Sequence, residues 1–349
     1  MADVLGNLES MEKHMGKDNE ILASGKVSIN ESRTATDIGK PNEKCTATGA
    51  DKASKCSKTS GCGEGVKGEV LAQKSIQQRA EEGLRKKFHK SIFAKFVAAI
   101  NEYKLLDEGD KVAVCISGGK DSMLMAKLFQ ELKRHNKYPF ELVFLVMDPG
   151  YSKANRQKIE HNAQILGVPV TIFDSPIFEN VVTIEKSPCY ICARMRRGYL
   201  YAKAKELGCN KIALGHHFDD AIETVLMGML YGAQVQTMMP KLHSQNFEGI
   251  DLIRPMIFIR ERDIVAWRDA YDLEFLACAC KFTEQNYSKN SEKETESMRK
   301  WTKNLIFELE KHNKQIPDNI FASMSNINLS QVIAYKAKDG NRHNFLKDY

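Results

Sequence analysis

Residues 111–122 read KVAVCISGGKDS and join a short apolar run to a glycine-rich turn. The run at 111–116 has the length and apolar content of a strand that is buried on both faces. The turn at 117–122 leads into an amphipathic stretch with helical periodicity. A strand, a glycine-rich turn and a helix in this order predict an anion site, because free N–H groups and the helix dipole attract negative charge.

Short apolar segments alternate with amphipathic segments beyond this turn. Besides 111–116, strands are predicted at 142–147, 168–173 and 211–214. Helices are predicted at 122–135, 153–166, 193–207, 261–271 and 293–311. The alternation is typical of an α/β fold, a doubly wound parallel sheet with helices on both faces. Because ligands of such sheets bind at the carboxyl ends of the strands, the site residues are expected at that edge.

Composition divides the chain into three predicted regions. Residues 1–80 contain no aromatic residue and no sustained apolar period. Such a segment buries too little apolar surface to offset the entropy of ordering, so a disordered extension is expected. Order is expected from near Arg85, and residues 81–275 are expected to form the α/β domain that contains the glycine-rich turn. Residues 276–349 are predicted to be a helical C-terminal region.

Charge and cysteine content limit the class of protein. The net charge of +6 is spread over charges of both signs and is weak evidence for nucleic acid. No apolar run approaches the roughly 20 residues of a membrane span, and the first residues lack the features of a secretory signal. A cytoplasmic protein without membrane contact is therefore expected. In that compartment the nine cysteines favour metal or catalytic roles over disulfides.

The turn at 117–122 predicts a phosphate-binding loop. Adjacent glycines let the backbone approach a ligand, a lysine adds positive charge, and hydroxyl groups add donors. The pattern differs from the Walker A motif, because its glycines are adjacent and an aspartate follows the lysine. The residues expected to hold the phosphate-bearing ligand are Ser117, Gly118, Gly119, Lys120, Asp121 and Ser122, with Met147, Gly215 and His216 at the ends of other strands.

A second polar turn, GHHFDD at 215–220, follows the strand at 211–214 and opens another helix. Asp219 has the ordinary reading of a helix-capping residue. The hexapeptide as a whole suggests more, because carboxylates beside a triphosphate commonly hold Mg²⁺ and a histidine can contact phosphate or transfer a proton. Asp219, Asp220 and Lys120 are therefore predicted to be catalytic at the phosphate site, and Cys189 and Cys192 complete the predicted catalytic residues.

Four of the six cysteines outside the extension fall into two pairs, Cys189 and Cys192 in C-x-x-C spacing, and Cys278 and Cys280 in C-x-C spacing. A zinc site from all four is one reading, and an iron–sulfur cluster held by three thiolates is the other. Cys115 is expected in the core, and Cys209 has no assigned role. In the extension, the spacing of Cys45, Cys56 and Cys62 fits no compact metal site; a thiol-bearing tail or an accessory sulfur- or metal-handling arm would explain them.

Three arginines follow the C-x-x-C pair directly: Arg194, Arg196 and Arg197. A basic cluster of this kind is most often a solvated helix face. The alternative is contact with an RNA backbone, which would make binding sensitive to salt.

The chain resembles the tRNA 2-thiocytidine synthetases, the TtcA family of the PP-loop ATP pyrophosphatases. Four stretches carry the resemblance in the same order: SGGKDS, CYICARMRRG, GHHFDDAIET, and Arg254-Pro255-Met256 with the late cysteines. The resemblance covers residues 111–285, about half of the chain. It implies an adenine nucleotide alpha hydrolase-like fold, in which ATP is split into AMP and pyrophosphate and the adenylyl group passes to a substrate oxygen.

The resemblance also implies cofactors, partners and a reaction. A 4Fe-4S cluster would be held by Cys189, Cys192 and Cys280, with Cys278 as the alternative because this chain has C-x-C where the family commonly has C-x-x-C. ATP, Mg²⁺, tRNA and a sulfur donor, either a persulfide carrier or sulfide, are implied, and a homodimer is compatible. The implied reaction adenylates O2 of cytosine 32 and replaces it with sulfur. The alternatives are another tRNA base or a small molecule as substrate, a cluster-free enzyme such as lysidine synthetase, and a zinc-containing nucleotide-binding module without turnover.

Overall fold

The computed structural model describes residues 74–135, 139–177, 188–276, 298–337 and 339–347, and leaves out the side chains of 188–193. The predicted cluster ligands Cys278 and Cys280, and the extension up to residue 73, therefore lie outside the described residues. Cys189 and Cys192 are described by their backbone alone.

A six-stranded sheet forms the centre of the described chain, in the order β3-β2-β1-β4-β6-β5. Its strands are β1 (Lys111–Ile116), β2 (Glu141–Asp148), β3 (Val170–Asp174), β4 (Lys211–Ala213), β5 (Lys241–His243) and β6 (Asp251–Ile253). All neighbouring pairs are parallel except β5 and β6. The predicted parallel sheet is confirmed, whereas β5 and β6 were not predicted. Both have three residues, too few for a period to be recognised.

The described helices are α1 (Ile76–Arg85), α2 (Ala94–Glu102), α3 (Lys120–Arg134), α4 (Lys153–Leu166), α5 (Pro188–Glu206), α6 (Phe218–Gly232), α7 (Glu261–Ala270), α8 (Met298–His312) and α9 (Ile316–Ser323). A π-helix, His89–Phe93, connects α1 to α2. None of these helices is long and apolar enough to cross a membrane.

Alternate residues of β1 show that the sheet is covered on both faces. Val112 and Val114 are fully buried in a cluster with α2, α3 and α7. Ala113, between them, is fully buried in a second cluster with α5, where it joins Tyr201 and Ala204. A strand buried on both sides explains why 111–116 reads as a continuous apolar run.

Helix α1 begins at Ile76, inside the stretch that was expected to be disordered and before the predicted onset of order near Arg85. Ser75 caps it in a capping box with Gln78. The helix buries mainly small residues, and Glu81 accepts a hydrogen bond of 2.7 Å from the fully buried Lys127 of α3. Its sequence is therefore polar although the helix is packed, and hydropathy alone gave no signal.

The C-terminal region is less helical than predicted. Helices α8 and α9 are followed by a hairpin of β7 (Ala334–Lys336) and β8 (Arg342–Asn344). These strands pair with each other in a separate two-stranded sheet. As with β5 and β6, three residues per strand give no recognisable alternation.

Candidate active site

The loop between β1 and α3 depends on a glycine at position 118. Gly118 has a φ of 84°, and a Cβ there would lie 2.7 Å from Cγ1 of Ile159 and 3.0 Å from Cδ1 of Leu276. Both the backbone conformation and the packing therefore exclude a side chain. Gly119 is the N-cap of α3, and no described side chain caps the helix. The first N–H groups of α3 can thus bind an anion.

Two serines hold this loop closed. The hydroxyl groups of Ser117 and Ser122 lie 3.2 Å apart, and the N–H of Ser117 donates to Oγ of Ser122 over 3.1 Å. Oγ of Ser122 in turn donates to the carbonyl of Gly119 over 3.0 Å. These contacts preform the curved backbone that a phosphate group would enter.

The turn after β4 packs directly on this loop, as the sequence predicted. A Cβ on Gly215 would lie 3.3 Å from the backbone C of Asp121 and the N of Ser122. His217 caps α6 by accepting from the N–H of Asp220 over 3.4 Å. Nε2 of His217 lies 3.9 Å from Oδ1 of Asp121, a buried atom without a described hydrogen-bond partner. His217 was not predicted as a site residue.

A cavity of about 300 Å³ opens between these turns, at the carboxyl ends of β1, β2 and β4. Several of the site residues predicted from the sequence line this cavity. They are Ser117, Asp121, Ser122, Met147, Arg196, Gly215, His216 and Asp220. Apolar residues complete it, among them Ile116, Leu200 and Leu214, and give the flat ring of an adenine a place to pack. Cys115 also lines the cavity, but burial raises the pKa of its thiol to about 12, so the thiol stays protonated.

His216 is neutral in this cavity at physiological pH. Burial, and then the positive charge of Arg254, lower its pKa to about 4. Its Nδ1 is buried and has no described hydrogen-bond partner. A neutral imidazole that still has an unpaired nitrogen can make one hydrogen bond to a ligand.

The neutral state of His216 predicts a loss of stability in acid. The pKa is about 4 in the folded protein against an ordinary value of 6.5, so the unfolded chain binds more protons between these values. The free energy of unfolding should fall by up to about 3 kcal/mol as pH drops through that window. Chemical denaturation of the wild type and of His216→Gln over this pH range tests the prediction. The free energy of unfolding of the variant should lack the part of the fall with pH that is due to His216. An identical decline in both proteins would contradict the prediction.

The two aspartates of the GHHFDD turn take different places. Oδ1 of Asp219 accepts from Nε of Arg260 over 3.0 Å, and Oδ2 accepts from the N–H of Glu261 over 2.6 Å. Asp219 thereby joins α6 to α7 and does not line the cavity. Asp220 does line it, and its Oδ1 lies 3.1 Å from Nη1 of Arg299. Of the two predicted carboxylates, the structure brings only Asp220 to the nucleotide cavity.

This difference predicts opposite effects of two matched substitutions. In Asp219→Asn the side-chain NH₂ group must face either Nε of Arg260 or the N–H of Glu261, and both of these are donors. The free energy of unfolding should therefore fall by about 2 kcal/mol. Asp220→Asn keeps the helix cap, so stability should change little, while kcat/KM for ATP should fall about a hundredfold. Chemical denaturation and pyrophosphate release measure the two quantities. The assignment fails if Asp219→Asn is the less active and the more stable variant of the two.

The three predicted RNA-contacting arginines do not share one environment. Arg196 lines the nucleotide cavity, whereas Arg194 and Arg197 are exposed. Arg254, which follows β6, was not predicted as a site residue on its own. Burial, and then the charge of Arg197, lower the pKa of Arg254 to about 10.

The cysteine pair lies on the helix that lines the cavity. Cys189 and Cys192 belong to the first turns of α5, which begins at Pro188. Cys192 precedes Arg196 by four positions, or about 6 Å along a helix axis. Within the described residues, no group of three His, Cys, Asp or Glu side chains is arranged to hold a metal ion.

Known proteins match this fold and this arrangement of motifs. A family model of the PP-loop domain matches residues 88–302. The tRNA-cytidine(32) 2-sulfurtransferase of Coxiella burnetii (strain CbuG_Q212) is 33% identical over 254 residues, which cover 72% of this chain and 95% of the relative. The tRNA-cytidine(32) 2-sulfurtransferase of Polaromonas naphthalenivorans (strain CJ2) is 32% identical over 262 residues, 74% of this chain and 78% of the relative.

A solved structure supports the fold. The U34-tRNA thiolase NcsA from Methanococcus maripaludis, determined with its 4Fe-4S cluster, has a TM-score of 0.53 and 20% identity, and the match covers 74% of this chain and 85% of that one. The family match over residues 88–302 and the identity to relatives that are covered over 78–95% of their length confirm the resemblance seen in the sequence. The chain is an ATP-using enzyme with a PP-loop domain, and it belongs to the tRNA-cytidine(32) 2-sulfurtransferase, or TtcA, family.

Proposed function

We propose that this enzyme adenylates O2 of a cytosine in tRNA, at position 32, and replaces that oxygen with sulfur. One observation carries the proposal beyond family membership: helix α5 carries the C-x-x-C pair and, one turn later, Arg196 at the nucleotide cavity. A residue that lines the nucleotide cavity and the cysteines that would supply sulfur chemistry thus belong to one helix.

In the proposed reaction, O2 of the cytosine attacks the α-phosphorus of ATP, and the bond to pyrophosphate breaks. The adenylated oxygen is a good leaving group. A sulfur nucleophile then adds to C2, the C2–O bond breaks, and AMP leaves with the oxygen. The first step develops charge on the departing pyrophosphate, which Lys120 and the N–H groups at the start of α3 would stabilise.

Mg²⁺ fits the carboxylates of the cavity. This ion keeps several waters and takes one or two carboxylates besides phosphate oxygens. Asp220 lines the cavity, and Oδ1 of Asp121 is a buried acceptor without a described partner. We propose these two side chains as its protein ligands, whereas the sequence predicts a metal near Asp219 or Asp220.

The 4Fe-4S cluster is proposed to be held by Cys189, Cys192 and Cys280, with Cys278 as the alternative third ligand. The start of a helix favours thiolates, which carry the negative charge that a helix dipole stabilises at this end. Such a cluster, when bound through three thiolates, offers an open iron for sulfide. Anaerobically purified protein should then be brown, with broad absorbance near ~400 nm. Colourless protein with stoichiometric zinc would contradict this assignment.

Positively charged side chains near the cavity are proposed to contact the tRNA partner. Arg194 and Arg197 are exposed, and the charge of Arg197 acts on the largely buried Arg254. An anticodon-loop base is unpaired and accessible, so it can enter a cavity while its backbone phosphates contact these arginines. Binding would then weaken with salt. We place the reaction in the cytoplasm and leave the sulfur donor as a persulfide carrier or sulfide.

Analysis of tRNA nucleosides tests the proposed function. Total tRNA from a strain that lacks this gene should lose 2-thiocytidine, and the wild-type gene should restore it. A gene encoding Lys120→Met should not restore it, which ties the modification to the phosphate loop. If a different thionucleoside disappears, the cytosine substrate is wrong; if every thionucleoside is retained, thiolation itself is wrong.

A further inference from the structure

Lys120, the cation of the phosphate loop, is held by a carboxylate that is distant in sequence. Its Nζ lies 3.1 Å from Oε1 of Glu261 and 3.2 Å from Oδ2 of Asp121. The side chains of Lys120 and Glu261 are only 20% and 22% exposed, so water screens this ion pair incompletely. The reaction proposed above gives Glu261 no part.

Glu261 is shared between two cations. Besides Lys120 it contacts Nζ of Lys303, which lies on α8. Burial alone would raise the pKa of Glu261, but the hydrogen bond from Lys303 and the charge of Lys120 hold it at about 2. The carboxylate is therefore ionised at any physiological pH and balances the two ammonium groups.

The position of Lys303 is fixed by the packing of α8. Thr302 and Ile306 of this helix are buried, and Glu310 accepts a hydrogen bond of 2.9 Å from Arg260. Arg299, one turn before Lys303, pairs with Asp220 of the cavity. Helix α8 thus brings the ammonium group of Lys303 into contact with Glu261.

We propose that Glu261 and Lys303 set the nucleotide affinity of the phosphate loop. In the empty site Glu261 holds Lys120, and an incoming triphosphate must take Lys120 from it. Lys303 favours this exchange, because its positive charge beside Glu261 weakens the attraction between Glu261 and Lys120. Glu261 is a positioning residue that acts through Lys120. The inference rests on ATP use at this loop and is independent of which base is thiolated.

The exchange predicts that two substitutions change the nucleotide affinity in opposite directions. If the two residues had a purely structural role, both substitutions would change the affinity in the same direction. Glu261→Gln releases Lys120 to the phosphates and should tighten nucleotide binding about fivefold. Lys303→Met leaves Glu261 paired with Lys120 alone and should weaken binding about fivefold. These magnitudes correspond to the usual coupling of contacting charged groups. In the Glu261→Gln background, Lys303→Met should have no further effect, because its target charge is absent.

Calorimetric titration with the magnesium complex of α,β-methylene ATP, without tRNA, measures these affinities directly. The matched controls are Glu308→Gln and Lys311→Met, which remove the two members of an exposed ion pair of 2.8 Å on the same helix and should not change the affinity. Lys303→Arg should retain wild-type affinity and Glu261→Asp should restore part of the carboxylate's hold. Thermal melting checks that each variant is folded.

The double substitution separates this exchange from simple long-range attraction. If Lys303→Met weakens binding equally with and without the carboxylate at 261, the two charges act independently and the proposal is overturned. Weaker or unchanged binding by Glu261→Gln also overturns it. Because no tRNA is present, a failure of the thiolation proposal would leave this result unaffected, and a failure here would leave thiolation unaffected.

Discussion

Cys189→Ser and Cys192→Ser are each expected to abolish tRNA thiolation, lowering it by about a thousandfold or more, as loss of an essential reacting group does. Serine does not replace a thiolate as an iron ligand. ATP binding and pyrophosphate release should persist, because serine is tolerated at a helix start and the cavity-lining part of α5, with Arg196, is unchanged. The two readouts are thionucleoside content of the tRNA and pyrophosphate released per tRNA.

Cys209→Ala provides the matched control for these variants. Cys209 is buried, and its burial raises the pKa of the thiol, so it is an unreactive core residue. Its substitution should leave thiolation at the wild-type level. Full thiolation by Cys189→Ser or Cys192→Ser would reject the proposed cluster, whereas loss of pyrophosphate release would show that these cysteines serve the nucleotide site instead.

Lys120→Met is expected to lose both steps of the reaction. Removing a preorganised positive group from the developing charge of a transition state costs about 10²–10³ in rate. Pyrophosphate release should fall by this factor, and thiolation should fall with it because no adenylate forms. Lys133→Met, an exposed position near the end of the same helix, is the control and should keep full activity. Retained pyrophosphate release in Lys120→Met would remove this lysine from the mechanism.

Local signals in the sequence predicted much of the fold because they depend on neighbouring residues. Strand β1 and helix α4 have the predicted bounds residue for residue. Helix α4 is capped by Ser152 at its start and ends at Gly167, which adopts a left-handed φ of 64°. Both residues are strong boundary signals. The three-residue strands lack such signals, and α1 was missed although Ser75 caps it, because its polar sequence shows no apolar period.

The candidate site divides in the same way. The phosphate loop, its glycines and its partner turn could be recognised in the sequence, because a positive φ at Gly118 and a helix start are properties of a few adjacent residues. That Asp220 reaches the cavity while Asp219 ties α6 to α7 depends on packing, because successive helical residues point about 100° apart and the docking of the helix selects one. The contact of Lys120 with Glu261 spans 141 positions and exists only because α7 packs behind the loop. No local pattern encodes such a pair, since its distance is set by the packing of the whole domain.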